Sequence, residues 1–197
     1  MKIYLMQNKQ AEDDWKDLLL YGFSPIDEET MQYYIERAGP FTPPMYISND
    51  LLIFTESAKK DFMRSHLIGI RFIDVLEKRK IIRVDWKSWA QDKDYYDYFE
   101  DIIDPEDFIE LLPHDPILAA AMPTYWGSEV EFTIHVNVGE YNPKSMYSHI
   151  GIAPNQVLED ADFYRGVEYG GIFVSQKARQ WINTYFPATF EFYEICQ

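Results

Sequence analysis

The sequence predicts an α+β fold built from two related strand-helix-strand modules, with an acidic segment and an antiparallel β region between them. Three observations carry that expectation. Leu52 to Val75 reads as strand, helix and strand within one short span. Ile172 to Ile195 repeats the same order of apolar, polar and capping positions 120 residues later, and Glu129 to Val138 alternates apolar and polar residues throughout. Only Ala58/Ala178 and Phe72/Phe192 are identical between the two copies, so the likeness is one of residue type. At 197 residues the chain can bury a core without staples, and its expected lobes are 1–90 and 91–197, which could also pack as a single domain.

In chain order, residues 2–6 (KIYLM) are an expected first strand, although their alternation is too weak to assign faces. Trp15, Leu18, Leu19 and Leu20 have helical spacing, which Gly22 and Ser24-Pro25 end. Residues 27–37 place acids first and Arg37 last, the order that suits a helix dipole, and predict a short helix. The prolines of 39–44 cannot extend it.

The first module then opens. Leu51 to Phe54 form a buried-strand run, Thr55 supplies a hydroxyl for the orphan amides of the next helix, and Glu56 sits well in its first turn. Ala58, Phe62, Met63 and Leu67 fall on one side and Lys59, Lys60 and Arg64 towards water. Gly69 provides the exit, and Ile70 and Phe72 share a strand face. Ile81, Ile82 and Val84 begin a further strand towards Trp86, and Asp104-Pro105-Glu106-Asp107 caps a helix that would turn Phe108, Leu111 and Leu112 inward.

In the strand predicted over Glu129–Val138, Val130, Phe132, Ile134, Val136 and Val138 face one way and His135 faces solvent. Turns follow at 139–143 and 151–155. The second module repeats the logic, with Ser175 at the cap position, Trp181, Ile182 and Tyr185 as the helix face, and Phe190 and Phe192 in the last strand. Pro187 takes the place of the glycine exit.

Charge narrows the function classes. A net charge of -15 repels phosphates and anionic lipid, so neither a nucleic acid nor a membrane is an expected partner; the field attracts a cation or a basic protein. The single cysteine, Cys196, has no partner within the chain, which fits a reducing compartment. The first residues lack the long apolar region and cleavage site of a signal peptide, and no apolar run reaches the ~20 residues of a membrane span, so a cytoplasmic location is expected.

Chemistry is sparse. Asp92 to Glu110 holds nine carboxylates interleaved with aromatic residues. Crowded like charges gain from meeting Lys or Arg, and tyrosines offer rigid amphipathic contacts, which makes Asp94, Tyr95, Tyr96, Asp97, Tyr98, Glu100, Asp101 and Asp104 the candidate partner-binding residues. A solvated acidic loop and helix start is the plainer account of each acid taken singly. Their spacing fails the pattern of a calcium loop, which needs a glycine at its sharp turn and a glutamate at its twelfth position. His66, His114, His135 and His149 are too scattered for zinc. No metal and no cofactor are expected. His114 and Asp115, between Pro113 and Pro116, read either as the acid-base pair of a small hydrolase or ligand-binding enzyme or as a structured turn. No nucleophile elbow, phosphate-cradling loop or dinucleotide fingerprint occurs, so no catalytic residue is assigned.

From Ile53 to Trp86 the chain resembles the immunity proteins of bacterial polymorphic-toxin systems, in one group of which a strand ending near Ser or Thr leads into a helix and a Gly precedes an apolar-x-Phe strand. Here the pattern is Phe54-Thr55-Glu56, the helix through Leu67, and Gly69-Ile70-Arg71-Phe72. The resemblance implies a cytoplasmic protein that binds and neutralises a cognate toxin without chemistry of its own. It transfers no individual binding residue.

Overall fold

The computed structural model describes residues 2–9, 21–49, 51–84, 109–139 and 150–195. The α+β class holds: strands and helices alternate as β1 (Ile3–Asn8), β2 (Tyr34–Gly39), β3 (Met45–Ser48), β4 (Leu51–Thr55), α1 (Glu56–Met63), β5 (Ile70–Val75), β6 (Glu77–Arg83), α2 (Pro116–Ala121), β7 (Tyr125–Val130), β8 (Phe132–Ile134), β9 (Val136–Val138), β10 (Ile150–Ile152), β11 (Phe163–Gly166), β12 (Ile172–Ser175), α3 (Gln176–Tyr185) and β13 (Phe190–Glu194). Two compact units interleave along the chain, one from Met1–Lys9, Pro44–Asp74 and Trp126–Gln197, the other from Gln10–Pro43 and Val75–Tyr125. The expected lobes were consecutive segments, whereas these units share the chain between them.

The first unit contains both strand-helix-strand modules. Its two sheets run β3-β4-β7-β5 and β13-β1-β12-β11-β8. In each module an antiparallel hairpin, β3-β4 or β11-β12, leads into a helix and then a strand, β5 or β13. The register repeats as well. Met45 opposes Phe54 and Tyr46 opposes Ile53 in one hairpin; Phe163 opposes Val174 and Tyr164 opposes Phe173 in the other. Thr55 and Ser175 cap their helices from the same position, each accepting from the amide three residues on, Ala58 or Ala178. Their own amides donate to Pro44 O and Asp162 O, both at 2.9 Å.

The centre of each sheet is filled by a strand from outside its module. β1 lies between β12 and β13, antiparallel to both, and β7 lies between β4 and β5. The two inserted strands make matching bonds at the exit of the helices: Lys9 N–H donates to Thr189 O and Glu131 N–H to Gly69 O, each at 3.0 Å. Gly69 has φ +114°, which only glycine adopts without strain, and an added Cβ would stand 2.7 Å from Phe163 O. The glycine exit is thus both a turn and a close approach between modules.

One core joins them. Leu52, Phe54, Ala58 and Phe62 and their counterparts Ile172, Val174, Ala178 and Ile182 belong to the same cluster, together with Tyr4, Met6, Met45 and Phe163. Full burial of each large apolar side chain contributes about 1.5–3 kcal/mol. Met63, expected on the inner side of its helix, is instead 65% exposed.

The alternation over Glu129–Val138 sets the facing correctly for Ile134 and Val136, both buried, yet the segment is three strands. β7 ends at Val130, β8 pairs in parallel with β11, and β9 pairs antiparallel with β10. The chain passes from one sheet to the other at Glu131. Val138, expected inward, is 48% exposed.

In the second unit the helix expected over 27–37 is replaced by a turn and a strand. Asp27 Oδ1 accepts from the amides of Glu29 and Thr30, and Met31 has φ 56°, so the acids close a tight turn. Tyr34–Gly39 then pairs in parallel with β6. Arg37, assigned above to a helix end, is fully buried in this strand; its Nε donates to Ala38 O at 3.0 Å and its Nη2 to Phe41 O at 2.7 Å. Leu111, expected inward, is 66% exposed, whereas Ile109 is buried.

Candidate functional site

The acidic candidates Asp94, Tyr95, Tyr96, Asp97, Tyr98, Glu100, Asp101 and Asp104 lie outside the described residues, as does Cys196. Nothing in the fold bears on their arrangement.

His114 and Asp115 are described, and each has a structural partner. The Ile81 amide donates to His114 Nδ1 at 3.0 Å, while Asp115 N–H donates to Ile81 O at 2.8 Å, so the two residues clamp their segment to β6. Asp115 is also the N-cap of α2, with Pro116 opening the helix; Oδ1 accepts from Leu118 N–H and Oδ2 from Arg83 Nε, both at 2.8 Å. The bond from the Leu118 amide, followed by that from Arg83, holds the Asp115 carboxyl below the usual carboxylate range. Both carboxylate oxygens are therefore engaged away from the imidazole. Arg83, Leu112, Pro113 and Pro116 line the open depression beside the pair. The Asp-Pro signal was present in the sequence, but the six-residue helix behind it was not anticipated.

Two cation-aromatic clusters were missed. Lys59 Nζ sits 2.9 Å from the Trp126 ring centroid and 4.9 Å from that of Phe72. At the matching position Arg179 lies 4.4 Å from the Tyr4 ring centroid and 5.9 Å from that of Phe192. Each pairs a helix cation with one ring from its own module and one from the inserted strand. Desolvation in this setting lowers the Lys59 ammonium below the usual lysine range. Trp126 Nε1 also donates to Glu56 Oε2 at 2.5 Å, and Glu56 pairs with Lys60 at 3.0 Å; these bonds, Lys60 first, lower the Glu56 carboxyl. The Lys59/Arg179 equivalence was legible from the repeat, but Trp126 and Tyr4 come from outside it. Such clusters cover aromatic surface with long cationic side chains, and among their atoms no nucleophile is paired with a base.

His135, expected on a solvent face, is about half exposed and bonds through Nδ1 to Glu168 Oε1 at 2.7 Å. Glu168 Oε2 accepts from the Val136 amide at 2.8 Å. The His135 bond, with that of Val136 behind it, pulls the Glu168 carboxyl down. This pair stands where β8 gives way to β9, and it satisfies an amide at the break.

Among the described residues no group of three or more His, Cys, Asp or Glu side chains is placed to hold a metal ion, and no helix is long and apolar enough to cross a membrane. No family model, no curated protein and no solved structure matches the chain.

Proposed function

We propose that the protein is a cytoplasmic toxin-neutralising immunity protein that binds a cognate, basic effector domain. The observation that carries this reading is charge: the net charge is -15, and nine of the 33 acidic residues fall within Asp92–Glu110 among Tyr95, Tyr96 and Tyr98. Such a composition favours encounter with a basic protein and supplies aromatic side chains for contact with it. The resemblance over Ile53–Trp86 supports the same reading. So does the use of His114 and Asp115 as clamp and cap, which gives the pair an architectural duty.

The test is association with the product of the adjacent reading frame. Copurification of a secreted protein with a variable C-terminal domain supports the proposal. Replacing Asp94, Asp97 and Asp101 by Asn and Glu100 by Gln then slows association and flattens its salt dependence, whereas unchanged kinetics reject the patch.

A further inference from the structure

Ile81 of β6 turns both of its backbone groups towards the segment that enters α2. Its carbonyl accepts from Asp115 N–H at 2.8 Å, and its amide donates to His114 Nδ1 at 3.0 Å. The first bond is of the kind that a neighbouring strand supplies; in the second, a ring nitrogen stands where a strand places a carbonyl. Ile81 is fully buried, so its N–H depends on that nitrogen in place of water. A ring nitrogen that accepts carries no proton, which fixes the neutral His114 side chain in its Nε2–H tautomer. His114 is exposed, so its imidazole exchanges protons with solvent.

We infer that His114 is an acid-released latch over the edge of β6, which holds the segment before α2 while the imidazole is neutral and lets go when it is protonated. An imidazolium bears N–H on both nitrogens, and two donors cannot share the line from Ile81 N to Nδ1. The bond is therefore present at neutral pH and lost as pH falls. The charged groups around the latch do not reverse that sign. On β6, Arg83 is held by the Asp115 carboxylate at 2.8 Å, Lys80 by Glu110 O at 3.0 Å and Lys78 by Met122 O at 3.0 Å. Glu110 and Asp115 lie on the latched segment itself, Glu36 lies on β2 across from Lys80, and α2, with the sequence PILAAA, brings no charge. These groups move the pH of release and leave its direction alone, because the Ile81 amide still needs an acceptor. β6 pairs with β2 on its other side, so release bares the Ile81 N–H, the condition in which a strand edge recruits another strand. His135 provides a contrast: its Nδ1 meets the Glu168 carboxylate at 2.7 Å, where protonation strengthens the bond.

The experiment is amide exchange of the full chain, followed by NMR from about pH 8 to about pH 5, the range in which imidazoles titrate, with each rate divided by the intrinsic open-chain rate at that pH. Protection of the Ile81 amide falls towards the acid end, by up to about tenfold per pH unit for release on one proton. Protection of the Val136 amide, which rests on Glu168 beside His135, does not fall with it. Proton-nitrogen correlation of the His114 ring at about pH 8 shows the Nε2–H tautomer. His114→Asn offers an acceptor that does not titrate, and the Ile81 protection then stays level across the range. Level Ile81 protection in the wild type, an Nδ1–H tautomer at the alkaline end, or a His114→Asn profile parallel to that of the wild type overturns the inference.

Discussion

The ring of Phe62 meets that of Trp181 edge-on, with centroids 5.7 Å apart and planes at 87°, so the helices of the two modules share one core. Phe62 also touches Phe54, Phe72 and Phe163, which places it where both sheets converge. Phe62→Ala therefore leaves a cavity bounded by both modules and is expected to cost about 3–5 kcal/mol. Because β1 and β7 cross between the modules, the loss appears as one earlier transition for that unit. Urea unfolding with amide exchange read on Phe54 and Val174 checks this: protection falling in one module and not the other would separate them.

Asp162 is the polar counterpart of that junction. Its carboxylate accepts from Ser175 Oγ at 2.7 Å and Lys177 Nζ at 3.0 Å in the second module, and from Ile68 N–H at 3.1 Å at the end of the α1–β5 connection in the first. Asp162→Ala strands a buried hydroxyl and an amide and is expected to cost about 3 kcal/mol. Asp162→Asn keeps one acceptor and costs roughly half of that. Equal losses for the two variants, by chemical denaturation, would assign the role to packing instead.

Local signals in the sequence were read well and the tertiary ones were not. Thr55, Ser175 and the apolar runs before them declare the modules because capping and burial are properties of neighbouring residues. The hairpin strands escaped comparison because β3 and β11 stand 118 residues apart rather than 120: two residues separate Ser48 from Leu51, whereas a longer turn separates Gly166 from Ile172. β1 and β7 escaped because each completes the sheet of a module it does not adjoin, and period two records a face, never a neighbour. The acids at 27–30 fit a helix start equally well on paper. Asp27 instead turned its side chain onto the amides of Glu29 and Thr30, and the β6 edge took up Tyr34–Gly39. As for function, the candidate partner-binding residues at 94–104 lie outside the described residues, and of the two readings that His114 and Asp115 admit, the described contacts show a structured turn, held as a clamp and a cap.

The equivalent caps should not be equal in energy. Thr55 Oγ1 accepts from Ala58 N–H at 3.4 Å and donates to the Pro44 carbonyl at 3.1 Å. Ser175 Oγ accepts from Ala178 N–H at 3.1 Å and donates to the Asp162 carboxylate at 2.7 Å, a charge-assisted bond. Thr55→Ala is expected to cost about 1 kcal/mol. Ser175→Ala should cost about 2 kcal/mol, since a buried carboxylate oxygen also loses its donor. Denaturation midpoints of the two variants decide the order, and a larger loss for Thr55→Ala would contradict it.

Asp115 gives a pH dependence of definite sign. Its carboxyl is depressed in the folded chain, first by the Leu118 amide and then by Arg83, so the folded state holds its proton less tightly than the unfolded state. The stabilisation is therefore fully present above the unfolded carboxylate value of about 4 and is lost as pH falls through the lower folded value. Asp115→Asn preserves an N-cap acceptor for Leu118 while removing the titrating group and the ion pair with Arg83. Urea midpoints measured from about pH 6 to about pH 3 should fall for both proteins, because Glu56 and Glu168 are depressed as well, but more steeply for the wild type. The gap between the two curves should close towards the acid end, where protonation has already removed from the wild type what the substitution removes from the variant. Parallel curves would show that the Arg83 pair and the charged cap contribute nothing to folding.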